Sequence, residues 1–172
     1  MDSKNILHFA ILEKNWLDGE LQAISSSAFK IEIEYQSDEA VLTKVKSLLR
    51  TLHAFGTEDW ALVNDETTAI PSWFKDCCSP QMTKNEMSIW LTKWRKLEGA
   101  EQLTFEKKKG WSLMDWLYWM QPKNRIWYVF DAVSCSHHKS KLVLLVDSWP
   151  VPLGAAEWML QAAGAEKIEI LN

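Results

Sequence analysis

The 172-residue chain is poor in the residues that mark disulfide-stapled folds and phosphate-binding loops. Its three cysteines are an odd number, and Cys77 and Cys78 are adjacent, a spacing that strains a disulfide, so we expect reduced thiols. Its six glycines are isolated from one another, and no glycine-rich phosphate loop, G-x-S-x-G or H-E-x-x-H pattern occurs. The sequence therefore offers no motif for an enzyme, a cofactor or a resident metal.

Long apolar runs and an excess of positive charge are also lacking. No run approaches the roughly 20 apolar residues that cross a membrane, and the apolar stretches in the first 16 residues are too short for a signal-peptide core. The formal net charge is −4, so the field of the whole molecule does not favour nucleic acid. We therefore expect a soluble, cytoplasmic protein without membrane or nucleic-acid partners, whose acidic balance suits a basic partner.

Tryptophan is the abundant residue, with eleven copies, four of them between residues 110 and 130. Apolar residues make up 47% of the chain and charged residues 24%, which is typical of a globular protein. At this length one hydrophobic core suffices, so we expect a single domain over residues 1–172.

The first third of the chain switches between strand and helix patterns. The continuous apolar run 6–12 has the length of a strand, and residues 29–35 alternate strictly between apolar and charged side chains, which predicts a half-exposed strand. Residues 38–54 carry an apolar stripe at helical spacing, and Gly56 is placed to end that helix. The run 60–63 (WALV) predicts a further short strand.

A tryptophan-rich helical insert is predicted over residues 82–121. The segments 83–86 (TKNE) and 112–115 (SLMD) both fit an N-terminal capping box, the second with aspartate in place of glutamate. The basic run 106–110 (EKKKG) between them is typical of a solvated turn. Three tryptophans lie on the apolar stripes of these helices and are expected in the core: Trp90, Trp94 and Trp116.

The last third predicts a hairpin, a helix and a strand. Residues 124–133 and 141–147 are rich in β-branched and aromatic side chains and form the hairpin. Because both faces of 125–131 are apolar, that strand is either central in a sheet covered on both sides or carries an exposed aromatic patch. A helix within 150–165 stops at Gly164, and a strand follows.

The segments 54–63 and 162–171 share the order Ala-x-Gly-x-Glu-x before an apolar strand. Two interpretations stay open: a duplication into β-β-α-β halves at 5–63 and 124–172 around the insert, or ordinary residues that end helices. Either one predicts an α+β fold, with a mixed or antiparallel sheet on which helices pack. A parallel crossover through the helix of each half is possible.

Three tryptophans are candidates for a partner surface. Trp119 lies off the apolar stripe of its helix, while Trp73 and Trp149 lie in proline-containing loops, where core packing explains a large ring less easily. Tryptophan is enriched at interface hot spots, so we expect these three to contact a partner.

The hairpin tip carries the one cluster that resembles a reactive site. Cys135, His137 and His138 could supply a nucleophile with its base, or metal ligands. Adjacent histidines in a polar turn more often form a solvated loop, so no catalytic or metal site is assigned here.

Residues 149–171 (WPVPLGAAEWMLQAAGAEKIEIL), in a small, acidic, tryptophan-rich α+β chain, resemble bacterial immunity proteins of the polymorphic-toxin or contact-dependent inhibition type. The resemblance implies a stoichiometric inhibitor that binds a cognate, basic toxin domain and occludes its active site. A small-molecule-binding domain or small enzyme, with its pocket between the sheet and the insert, is the alternative. A third reading is a homo-oligomeric subunit whose exposed aromatic side chains meet their own symmetry copies.

A protein that occludes a basic toxin would use acidic residues near exposed aromatic rings to contact it. Two such groups occur, and both are candidates for the partner surface: Asp18 and Glu20 beside Trp16, and Asp65 and Glu66 before Trp73.

Overall fold

The computed structural model describes residues 3–20, 29–36, 39–56, 60, 67, 69–136 and 138–171. The helices are α1 (Ser3–Asp18), α2 (Glu39–Ala54), α3 (Ser72–Lys75), α4 (Lys84–Trp94), α5 (Ala100–Lys109), α6 (Leu113–Met120) and α7 (Gly154–Ala163). The strands are β1 (Phe29–Gln36), β2 (Trp127–Ser136), β3 (Lys139–Val146) and β4 (Glu166–Leu171). The α+β class predicted from the sequence is confirmed.

The four strands form one antiparallel sheet in the order β2-β3-β1-β4. Strands β3 and β4 are both antiparallel to β1, so they run in the same direction as each other. Helix α7 therefore carries the chain from β3 across β1 to β4 as a split β-α-β unit. Gly164, at φ +107°, ends α7 in the left-handed conformation, as its position in the sequence predicts.

The N-terminal element is a helix, and the prediction of a strand at 6–12 is wrong. Phe9, Leu12 and Trp16 recur at helical spacing and share the buried side of α1, a pattern that the continuous apolar run conceals. The predicted β-β-α-β half at 5–63 is therefore also wrong, because it begins α-β-α, whereas the half at 124–172 runs β-β-α-β as predicted. Trp60 is buried outside any strand, and 61–63 lie outside the described residues.

The main core lies between one face of the sheet and helices α2, α6 and α7. Strand β1 turns Ile31, Ile33 and Tyr35 toward it, as the strict alternation of 29–35 predicts. The stripe of α2 meets them with residues that are all buried: Val41, Val45, Leu48, Leu49 and Leu52.

The first residues of strand β2 are covered on both faces, whereas its last four residues, 133–136, are exposed. Trp127 packs into the main core, while Tyr128 packs on the opposite face with Phe9 and Leu12 of α1 and Leu145 of β3. The strand lies at the edge of the sheet, so the alternative of a central strand is wrong, and α1 rather than another strand layer supplies its second cover.

The helix α1 is fixed to that edge by a buried carboxylate. Glu13 is fully buried, and its Oε1 accepts a 2.7 Å hydrogen bond from the backbone N–H of Val129 in β2. The guanidinium of Arg125 donates two hydrogen bonds to Glu13, at 2.8 and 2.5 Å, and His53 lies 2.8 Å from it. An edge N–H of the sheet is thus satisfied within the fold rather than left for another chain.

Helices α4 and α5 form a projecting pair, called here the arm, in which no residue is buried. The prediction that Trp90 and Trp94 pack in the main core is wrong: they stack on each other, and Trp90 stacks on Phe105 across the arm. The expected turn at 106–110 is also wrong, because the basic residues form the last turn of α5, where cations complement the helix dipole. The capping box of Thr83 and Glu86 is confirmed.

Candidate binding groove

The arm joins the body through two chain segments that lie side by side. Ser79 donates its N–H to the carbonyl of Trp111 at 2.9 Å and its hydroxyl to the carbonyl of Lys109 at 2.8 Å. The chain turns back toward the body at Gly110, whose φ is +67°. A Cβ there would lie 2.7 Å from the Ser79 hydroxyl, so only glycine fits at this position. The hydroxyl of Ser112 donates to the side chain of Gln81 at 2.6 Å.

A groove of about 510 Å³ separates the arm from the body. The arm contributes two apolar side chains, Met87 and Leu103, and the charged residues near the end of α5. The wall on the body comes from the segment before α6, from α6 itself and from α7, and its aromatic members are Trp111, Tyr118, Trp119 and Trp158.

A second, smaller cavity of about 160 Å³ shares Trp111, Trp119 and Gly154 with the groove. Gly154 sits at the start of α7 and brings the Trp111 ring close, since a Cβ at this position would meet Cζ2 of that ring at 3.3 Å. The two cavities are therefore neighbours, and both are lined by Trp111 and Trp119.

Two rings of the groove wall are open to solvent. Tyr118 is 49% exposed and Trp119 42% exposed, and the rings pack edge to face with centroids 5.8 Å apart. They lie on the side of α6 away from the core, since Trp116, Leu117 and Met120 of the same helix are buried. Helix α6 thus anchors one face in the core and presents two aromatic rings on the other.

The groove carries charges of both signs. Lys109 of the arm and Asp115 of α6 form an ion pair of 3.5 Å across the base of the groove, and Glu106 accepts a 2.8 Å hydrogen bond from the indole of Trp94. Lys107 on the arm and Glu157 on α7 form no ion pair with any residue that the structure describes. These two charges are therefore available to a ligand.

Comparison with known proteins finds no matching family model, curated protein or solved structure. The site is therefore interpreted from its own geometry.

The tryptophans predicted to face a partner occupy different surroundings. Trp119 lines the groove, whereas Trp149 is 48% exposed in the loop after β3 and is not part of the groove wall. Trp73 lies in helix α3, so the expectation that it lies in a loop is wrong. It is half-buried, packs against the main core and has Lys44 over its ring at 5.5 Å.

The acidic candidates do not meet at the groove. Trp16 is buried in the main core under Lys46, so the expectation that its ring is exposed is wrong, while Asp18 and Glu20 are exposed at the end of α1. Asp65 and Glu66 lie outside the described residues.

The cysteines form no disulfide, and their surroundings differ. Cys77 and Cys135 are exposed, whereas burial raises the pKa of the Cys78 thiol to about 11, which disfavours its thiolate. His137 lies outside the described residues, and among the residues that are described no three histidine, cysteine, aspartate or glutamate side chains could hold a metal ion together. No described helix is long and apolar enough to span a membrane.

Sequence reasoning missed most of the groove wall. For Trp111 and Trp158 the sequence predicts only the neighbourhood of a helix start and a position in a helix, and it marks neither Tyr118 nor Glu157 as a site residue. The segment before α6 and the first turns of α7 meet only through tertiary packing, so no residue spacing along the chain shows that they form one wall. One signal was present: Tyr118 and Trp119 are adjacent aromatic residues on a short helix whose buried stripe is already complete without them.

Proposed function

We propose that this protein binds another protein through the groove between its arm and its body. It neutralises that partner by holding a segment of the partner in the groove. The observation that carries the proposal is the pair of solvent-exposed rings, Tyr118 and Trp119, at a groove whose two walls belong to separately packed parts of the molecule. Large aromatic side chains in such a position supply much of the affinity of protein interfaces.

The shape of the groove favours a polypeptide segment as the ligand. It runs between the arm residues Met87 and Leu103 and the α7 residues Glu157 and Trp158, and it is partly open to solvent. Leu103, one of the apolar side chains that line the groove, is itself exposed. Exposed apolar surface with charged neighbours is typical of an interface.

Within this proposal, the role of an immunity-type inhibitor is the more specific hypothesis. The net charge of −4 would speed association with a basic toxin domain, and a one-to-one complex would occlude the toxin. The stretch 149–171 that suggested this role in the sequence supplies Gly154, Glu157 and Trp158 to the groove wall.

The test compares two tryptophans of the same exposure in different places. Tagged wild type, Trp119→Ala and Trp149→Ala are used to capture partners from lysate of the source organism, and the captured chain is then expressed alone and with each variant. We expect Trp119→Ala to weaken capture by about 2 kcal/mol or more, the loss typical of a hot-spot residue, and to relieve the partner's toxicity less well. Trp149→Ala should behave as wild type.

The outcomes of this test distinguish binding through the groove from the more specific immunity role. A partner lost by Trp119→Ala but harmless when expressed alone would keep the groove and reject the immunity role. Equal capture by both variants would reject the groove as the binding surface.

A further inference from the structure

Cations of the chain already cover many of its aromatic rings. Among the described residues, four tryptophans have a Lys or Arg group 4.5 to 5.5 Å from a ring centroid: Trp16 under Lys46, Trp73 under Lys44, Trp90 under Lys109, and Trp127 under Arg125. Such cation–π contacts contribute about 0.5–2 kcal/mol each, more where water is excluded.

The rings of the groove differ from these four. No cation from any described residue lies over Trp111, Tyr118 or Trp119, although the last two are open to solvent. The exposed rings of Tyr118 and Trp119 are therefore accessible to a cation from outside the molecule.

The charges along the groove also favour a cationic ligand. Its lining contains three carboxylates and two ammonium groups, which leaves one net negative charge. One of the two ammonium groups, that of Lys109, is already paired with Asp115 and lies over Trp90. On the body wall the carboxylate of Glu157 has no ionic partner among the described residues.

We infer that the groove takes an arginine side chain of a basic partner segment, with the guanidinium stacked on the rings of Trp111 and Trp119 and paired with Glu157. This inference rests on the proposed protein-binding function. Guanidinium suits the site better than ammonium because it is planar, weakly hydrated and able to stack on a ring while it bonds a carboxylate. Lys107 on the arm wall repels the cation and so directs it to the body wall.

The test uses two small probes that differ in charge but hardly in shape, Nα-acetylarginine methylamide and Nα-acetylcitrulline methylamide. Binding is followed by the indole ¹H–¹⁵N signals of the protein, assigned through single Trp→Phe variants. We expect the arginine probe to shift the Trp111 and Trp119 signals but not that of Trp149. The citrulline probe should bind at least about threefold more weakly, because it lacks the charge for cation–π attraction.

Charge variants provide the matched comparison. Glu157→Gln should weaken the arginine probe severalfold, Lys107→Gln should strengthen it, and Glu166→Gln, at an exposed position on β4, should leave it unchanged. Unchanged thermal unfolding midpoints will show that these variants remain folded. Equal binding of the two probes, or an unchanged affinity of Glu157→Gln for the arginine probe, would overturn the inference.

Failure of this inference is distinguishable from failure of the proposed function. Loss of the captured partner in Trp119→Ala together with equal binding of the two probes would leave the groove as a protein site and exclude the cation. Selective binding of the arginine probe together with undiminished capture by Trp119→Ala would exclude the groove as the partner's site.

Discussion

At the scale of single residues, the buried carboxylate of Glu13 is the group on which the N-terminal part of the fold most depends. Burial alone would raise the pKa of Glu13, but the charge of Arg125 and the hydrogen bonds from His53 and Arg125 together hold it below the ordinary value. Arg125 is itself buried, and its guanidinium lies 4.5 Å from the ring centroids of both Trp127 and Tyr128. Charge pairing, aromatic stacking and an edge hydrogen bond of the sheet therefore converge on the Glu13–Arg125 pair.

Glu13→Gln should lower the free energy of unfolding by about 3–5 kcal/mol, because it leaves the buried Arg125 charge without its counter-ion. Urea unfolding at neutral pH measures this loss. The control, Glu32→Gln, removes the partner of Lys141 in a more exposed pair on the sheet and should cost far less. Equal losses in the two variants would contradict the assignment.

The same variant should alter the dependence of stability on pH. Since the folded-state pKa of Glu13 lies below its unfolded value, the ionised carboxylate stabilises the fold above the unfolded pKa, and this contribution is lost as the pH falls through the folded pKa. Wild type should thus lose stability below about pH 4.5, the ordinary glutamate value, more steeply than Glu13→Gln does. Parallel stability curves for the two proteins would be inconsistent with the shifted pKa.

At the scale of elements, the arm is held by its own aromatic stack and by its base rather than by the main core. Trp90 stacks on Trp94 with centroids 6.5 Å apart and on Phe105 at 5.3 Å, and the indole of Trp94 donates to Glu106 across the two helices. The stability of the arm therefore depends on its own contacts. The wall that the arm contributes to the groove can open while the core stays folded.

Trp90→Ala should loosen the arm without unfolding the body. Each aromatic pair contributes about 0.5–1.5 kcal/mol, so amide hydrogen exchange in 84–109 should become about tenfold faster while global unfolding changes little. Trp116→Ala is the contrasting variant, because that ring is fully buried and should cost about 3–5 kcal/mol of global stability. A large global loss in Trp90→Ala would mean that the arm is part of the core.

Elements with strong local signals were predictable from the sequence, and those defined by tertiary packing were not. The capped helix at Thr83, the stripe of α2 and the β2–β3 hairpin follow from spacing alone. The N-terminal helix was missed because its apolar residues are contiguous as well as helically spaced, and α5 because it has no buried face, although Gly99 and Gly110 flank it. Trp119 was found as a residue off its stripe, but the groove around it depends on how the arm and α7 pack.

At the scale of the whole molecule, the fold separates support from recognition. The sheet with α1, α2 and α7 buries both faces of the first part of β2 and fixes α6, while the arm and the outer face of α6 are built outside that core. The account therefore predicts that partner contacts concentrate on the side of the molecule that carries the groove, and that they can be altered there without loss of the fold.

The most direct test of this central claim is photo-crosslinking in the captured complex. p-Benzoylphenylalanine is placed at Tyr118, at the groove, or at Phe29, an equally large and 59% exposed aromatic residue at the start of β1. The account predicts a covalent adduct with the partner chain from position 118 and none from position 29. An adduct from position 29 without one from position 118 would place the interface elsewhere and contradict the account.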